Sequence, residues 1–158
     1  LSTPYPVRPV DDSFFENAPL VVRAAVDLEA TPGEVWAALG SDEMWSWLPI
    51  LDRLRWTTPR GEGGVRILRV ARAFEIEERF YRWEEGRRAT FHVVSSTRPV
   101  LDALAEDFVL DPIATGTRLT WTMALDPKGP RNLGWLAPLL ALGNKIAISG
   151  LRKILPRR

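Results

Sequence analysis

Between residues 20 and 29 apolar and polar side chains alternate. Leu20, Val22, Ala24, Val26 and Leu28 fall on one side, Arg23, Asp27 and Glu29 on the other. A period of two predicts a strand with one buried and one wet face. The period then changes. Thr31 is a good N-cap, Pro32 suits the first helical position, and Glu34 stands where a capping box needs it. Val35, Trp36 and Leu39 give that short helix an apolar stripe, and Gly40 ends it. A second short helix is expected over residues 42–48, closed by Pro49. Period-two patterns return at 51–57, 65–70, 74–81, 88–95, 103–110 and 118–125, separated by turn signals at Gly61, Gly63, Gly64, Gly86, Pro99 and Gly116. Successive strands on short turns predict an antiparallel meander.

After Pro127 the pattern becomes helical from about 132 to 155, with a bend expected at Pro138. A helical wheel puts Leu136, Leu139, Leu140, Gly143, Ala147, Gly150, Leu151 and Ile154 on one stripe, taken as inward. Lys145, Ser149 and Arg152 lie opposite. Residues 1–19, with Pro4, Pro6, Pro9 and Pro19, read as an extended arm without a ladder of its own, pinned by Phe14 and Phe15. Residues 20–156 then form one α+β domain: about seven curved antiparallel strands, two short helices after the first strand, and a long final helix gripped by the sheet. Such a sheet tends to leave a hollow under its helix.

Composition narrows the functions. The chain has 158 residues, with 21 Lys plus Arg against 20 Asp plus Glu, so a nucleic-acid partner is not expected. Arg152, Lys153, Arg157 and Arg158 make a small basic end. No cysteine is present, which excludes disulfides, thiolate metal sites and a cysteine nucleophile. The apolar stretch 133–142 is too short to span a bilayer, so no integral membrane segment is expected. The first residues show no signal-peptide pattern, and a soluble cytoplasmic protein is expected.

The segment Thr31-Pro32-Gly33-Glu34-Val35-Trp36, followed by Leu39, Trp45, Trp47 and Pro49, resembles the START-like (birch-pollen-allergen-like) superfamily in its bacterial polyketide cyclase/dehydrase and lipid-transport branch. The strand Gly116-Thr117-Arg118-Leu119-Thr120-Trp121 and the terminal amphipathic helix are also similar. The resemblance covers about residues 20–155. It implies the helix-grip fold and a hydrophobic cavity, in a family that includes lipid carriers, ligand sensors and cyclases.

The expected ligand is a hydrophobic small molecule such as a lipid, an aromatic polyketide-like compound or an isoprenoid, with no cofactor and no metal. Its floor is expected to be Phe74, Ile76, Phe91, Phe108, Trp121 and Met123, and its roof the final helix at Gly143, Asn144 and Ala147. Met44, Trp45 and Trp47 are placed at its mouth. Two carboxylates, Glu78 and Glu106, fall on apolar faces, where burial raises a carboxyl pKa and suits it to general acid or base work. They are the candidate catalytic groups of the alternative reading, a cyclase or dehydratase. The bland alternative is an arginine partner, with Arg79, Arg82 or Arg118 in range. His92, the one histidine, is expected to face solvent. A third reading is a partner-binding or membrane-peripheral protein using Trp45, Trp47 and the basic end.

Overall fold

The predicted alternation at 20–28 is present as a strand in the computed structural model, which describes residues 4–130 and 132–158. In chain order the elements are β1 (Tyr5–Pro6), α1 (Phe14–Asn17), β2 (Leu20–Leu28), α2 (Pro32–Leu39), β3 (Leu51–Trp56), β4 (Val65–Val70), β5 (Phe74–Glu84), β6 (Arg88–Ser96), β7 (Leu101–Ile113), β8 (Gly116–Pro127) and α3 (Ala137–Ser149). Single 3₁₀ turns at Gly134–Leu136 and Gly150–Lys153 flank α3. The sheet runs β2-β8-β7-β6-β5-β4-β3, antiparallel throughout, and curls around the C-terminal helix in the helix-grip arrangement. Every second residue of β2 is buried, as the alternation requires.

Local chemistry fixes the joints. The capping box at α2 forms: Glu34 donates its backbone N–H to Thr31 Oγ1 at 3.3 Å, and Thr31 N–H reaches Glu34 Oε2 at 2.7 Å. Gly116 has φ 142, and a Cβ there would stand 2.1 Å from the Leu28 carbonyl, so only glycine fits this turn.

Three expectations need correction. The segment 41–48 is a chain of turns closed by i to i+3 bonds, such as Met44 N–H to the Ser41 carbonyl and Leu48 N–H to that of Trp45, rather than a regular helix. Trp45 sits at φ 70, which no α-helix accommodates. Pro138 does not bend a longer helix; it occupies the first turn of α3, where its missing N–H costs nothing. The arm does join the ladder: Tyr5 and Pro6 pair with Ser96 and Ser95, Val7 N–H donates to Val94, and Arg8 N–H donates to Asp102. β7 pairs with β6 only as far as His92, and the arm takes over where those strands part. Val7 thereby enters the main core, while Phe14 packs with Ala103, Ala105 and Ala124 in a second cluster. Residues 1–3 of the expected arm lie outside the described residues.

The inward stripe of α3 is also displaced. Ile148 and Leu151 are fully buried, and Ala141, Asn144 and Ala147 are partly so, whereas Leu139 and Gly143 are exposed. The helix is apolar nearly all round, so the wheel alone left its rotation undetermined. α3 packs chiefly along β2, at one side of the concave face.

Candidate functional site

The concave face is filled by a continuous run of aromatic rings. Trp47 meets Trp45, Trp45 meets Trp121, and the run continues through Phe108, Phe91 and Phe80 to Trp56 and Trp83, with centroid separations of 4.8–6.1 Å. Trp36 of α2 closes the far end against Trp83 at 4.9 Å. Alternation places Phe80, Phe91, Phe108 and Trp121 on one face of neighbouring strands, so the register itself stacks them. Rings at these separations contribute offset and edge contacts beyond plain burial.

Charge is built into this apolar interior. Arg66 and Glu78 are each 2% exposed and stand directly opposite one another on β4 and β5. The Arg66 guanidinium donates through Nε to Glu78 Oε2 and lies over the rings of Phe80 and Phe91 at 5.0 and 4.9 Å. Removing either partner would strand a buried charge. The arginine partner of Glu78 is thus Arg66, not one of the three named from sequence. Arg82 binds Asp12 and Thr90, and Arg118 forms a two-bond pair with Asp27.

Glu106 is different. It faces the same side as Leu104 and Phe108 and has no arginine hydrogen-bonded to it among the described residues; Trp121 Nε1 donates to its Oε2 at 2.9 Å. Burial pushes its pKa up to about 8, and the negative charge of Glu78 adds to this; Arg66 and the Trp121 hydrogen bond oppose it. These surroundings favour the protonated form of Glu106. Its side chain still keeps some accessible surface, as does Met123, its cross-strand partner on β8.

The roof and mouth differ in detail from the sequence expectation. Trp47 Nε1 donates to the Ala147 carbonyl at 2.9 Å, tying the 41–48 turns to α3. A Cβ on Gly150 would lie 2.1 Å from the same indole nitrogen, so Gly150 is small because Trp47 lies against it. Gly143 has open space around it and looks outward. Asn144 is central to the inward stripe, and its amide nitrogen is buried with no hydrogen-bond partner among the described residues. Met44 and Trp45 are 2% and 3% exposed, part of the core, which removes Trp45 as a surface contact. Ile76 is buried, and Phe74 is partly buried against the core.

A hollow beside Arg66, lined by Trp36, Trp56, Trp83 and Phe108, has a volume of about 10 Å³, room for roughly one water. His92 is buried, contrary to expectation. It shares the outer face with Tyr81, 5.7 Å away between ring centroids, and burial lowers its pKa. Its alternation with Phe91 and Val93 correctly places it on the outer side, but cannot show that this side is covered.

Residue alternation flagged Glu78 and Glu106 but missed Arg66. The signal existed: an acid on an apolar face needs a partner, and Arg66 is the residue that hairpin register sets opposite it.

The family described as polyketide cyclase / dehydrase and lipid transport matches residues 19–155. An uncharacterized protein of Mycobacterium bovis is 34% identical over 154 residues, covering 94% of this chain and 92% of its own length, and one from Mycobacterium tuberculosis matches equally. A crystal structure from Chromobacterium violaceum superposes with a TM-score of 0.68 at 16% identity, covering 89% of this chain and 99% of that one. Ara h 8.0201 superposes at 0.65 and 10% identity, covering 85% and 96%. At such identities the two structures speak to the fold alone.

Proposed function

Because this chain belongs to the polyketide cyclase / dehydrase and lipid transport family, we propose that it holds an apolar small molecule between α3 and the β7–β8 part of the concave face, with a polar group of the ligand accepting a hydrogen bond from Glu106. The observation that carries this reading is Glu106 itself: a carboxyl in an aromatic interior, held by Trp121 Nε1, with no arginine hydrogen-bonded to it among the described residues, that keeps some accessible surface. α3 packs chiefly along β2, and Glu106 and Met123 keep some accessible surface. The hollow beside Arg66 is too small for anything beyond a water, so the ligand sits nearer Met123, Trp121 and Asn144. Phe91, Phe108 and Trp45 form the floor behind it, and Trp47 with Ala147 closes one end. Apolar burial supplies the affinity, about 25 cal/mol per Å², and Glu106 and Asn144 set orientation.

A neutral lipophilic fluorophore, N-phenyl-1-naphthylamine, tests the site. The wild-type protein binds it saturably with a blue-shifted emission. Met123→Trp fills the proposed space and abolishes the signal while circular dichroism stays native. An absence of saturable binding by the wild type overturns the reading.

The proton on Glu106 also favours a second reading, in which it serves as a general acid toward a polyketide-like substrate. Glu78, locked to Arg66, would then act only through its charge. In that case Glu106→Gln abolishes turnover and leaves fluorophore binding in place.

A further inference from the structure

The outer side of α3 carries a second apolar stripe, opposite the buried one. Trp135, Leu139, Leu142 and Ile146 are 73%, 66%, 57% and 65% exposed. Leu139, Leu142 and Ile146, spaced three and four apart, share one face of α3 over about 10 Å at the helical rise, and Trp135 stands in the 3₁₀ turn just before it. Large apolar side chains singly exposed are ordinary; three on one helix face, with an exposed tryptophan in the turn before it, are not.

The segment that carries this stripe is as uneven in charge as in hydropathy. From residue 128 to 158 the sequence holds seven Lys or Arg and no Asp or Glu. The other 127 residues hold 14 basic against 20 acidic. Lys145, Lys153 and Arg157 are exposed in this segment, while Arg158 binds Glu34 and Arg152 donates to the Asp27 carbonyl. A two-fold contact through this face would bring two basic segments together, which like-charge repulsion opposes. A surface of anionic headgroups over hydrocarbon satisfies both halves of the pattern: acyl chains take Trp135 and the aliphatic stripe, and phosphate-bearing headgroups take the basic flank. At 13 residues α3 is too short to span a bilayer, and no helix among the described residues is long and apolar enough to do so.

We propose that the outer face of α3 docks the protein, in the plane of the interface, on bilayers containing anionic phospholipid. The inference stands on the outer side of the helix and does not require that a ligand occupy the interior.

Co-sedimentation with phosphatidylcholine vesicles, with and without phosphatidylglycerol, at low and high salt, tests it. The wild type sediments with phosphatidylglycerol vesicles at low salt and is released by high salt. Trp135 emission shifts to the blue on binding, and Trp135→Phe lacks that component. The combined variant Leu139→Ser, Leu142→Ser, Ile146→Ser alters only exposed side chains and loses at least about tenfold in partitioning. Lys145→Gln with Lys153→Gln weakens binding by at least about fivefold. Failure of the wild type to sediment overturns the proposal, as does unchanged partitioning of the serine variant. Self-association of the wild type that the serine variant abolishes, without vesicle binding, assigns the face to a second copy instead.

Discussion

At the scale of single residues, Glu106 has the most direct consequence. Its folded pKa of about 8 lies above the ordinary glutamate value of 4.5. Its contribution to stability is therefore fully present below about pH 4.5 and is lost progressively as pH rises through 8, because only the folded state holds the proton in that window. Urea unfolding of the wild type across this range is expected to show that decline. Glu106→Gln, which keeps a neutral hydrogen-bonding group, reduces the slope; an unchanged slope would mean the carboxyl is not buried as described. Sequence alone brought Glu78 and Glu106 forward, since each interrupts an apolar period. It could not tell their surroundings apart. The difference depends on Arg66 standing across from Glu78 and on no cation among the described residues reaching Glu106 as closely.

At the scale of elements, two glycines that look alike in sequence, Gly143 within α3 and Gly150 just past its end, do opposite work. Gly150 has ordinary helical backbone, φ −65, yet a methyl group there would collide with the Trp47 ring. Gly143 meets nothing. Gly143→Ala is expected to stabilise the protein by about 0.5–1 kcal/mol through helix propensity and reduced unfolded-state freedom. Gly150→Ala is expected to cost about 1–3 kcal/mol, because the indole and its bond to the Ala147 carbonyl must shift. Denaturant midpoints of the two variants moving in opposite directions would establish this; a stabilising Gly150→Ala would refute the packing. The strands, the capping box and the existence of the final helix were readable because each has a period or a cap. The rotation of α3 was not, because apolar residues lie on both its faces and only contact with β2 chooses between them. Nor was the form of residues 41–48, whose local composition suits a helix while the core holds Trp45 at positive φ to seat it against Trp121.

At the scale of the whole molecule, the N-terminal arm joins sheet and core into one unit. Proline content made it look like an appendage, and its prolines do limit its ladder to a few bonds. Yet it enters where β6 and β7 part, and Val7 at 5% exposure packs with the same cluster that holds Phe91, Phe108 and Trp121. If the arm is part of the cooperative core, Val7→Ala removes buried methyl groups worth about 0.8 kcal/mol each and leaves a cavity besides, so a loss of about 2 kcal/mol is expected. That loss should appear as a shift of a single unfolding transition, seen alike by tryptophan fluorescence and by far-ultraviolet circular dichroism. Tyr5→Ala, at an exposed position of the same arm, should leave the midpoint within about 0.5 kcal/mol of wild type. Were the arm merely laid on the surface, Val7→Ala would instead resemble Tyr5→Ala, and the aromatic run would owe nothing to the first ten residues.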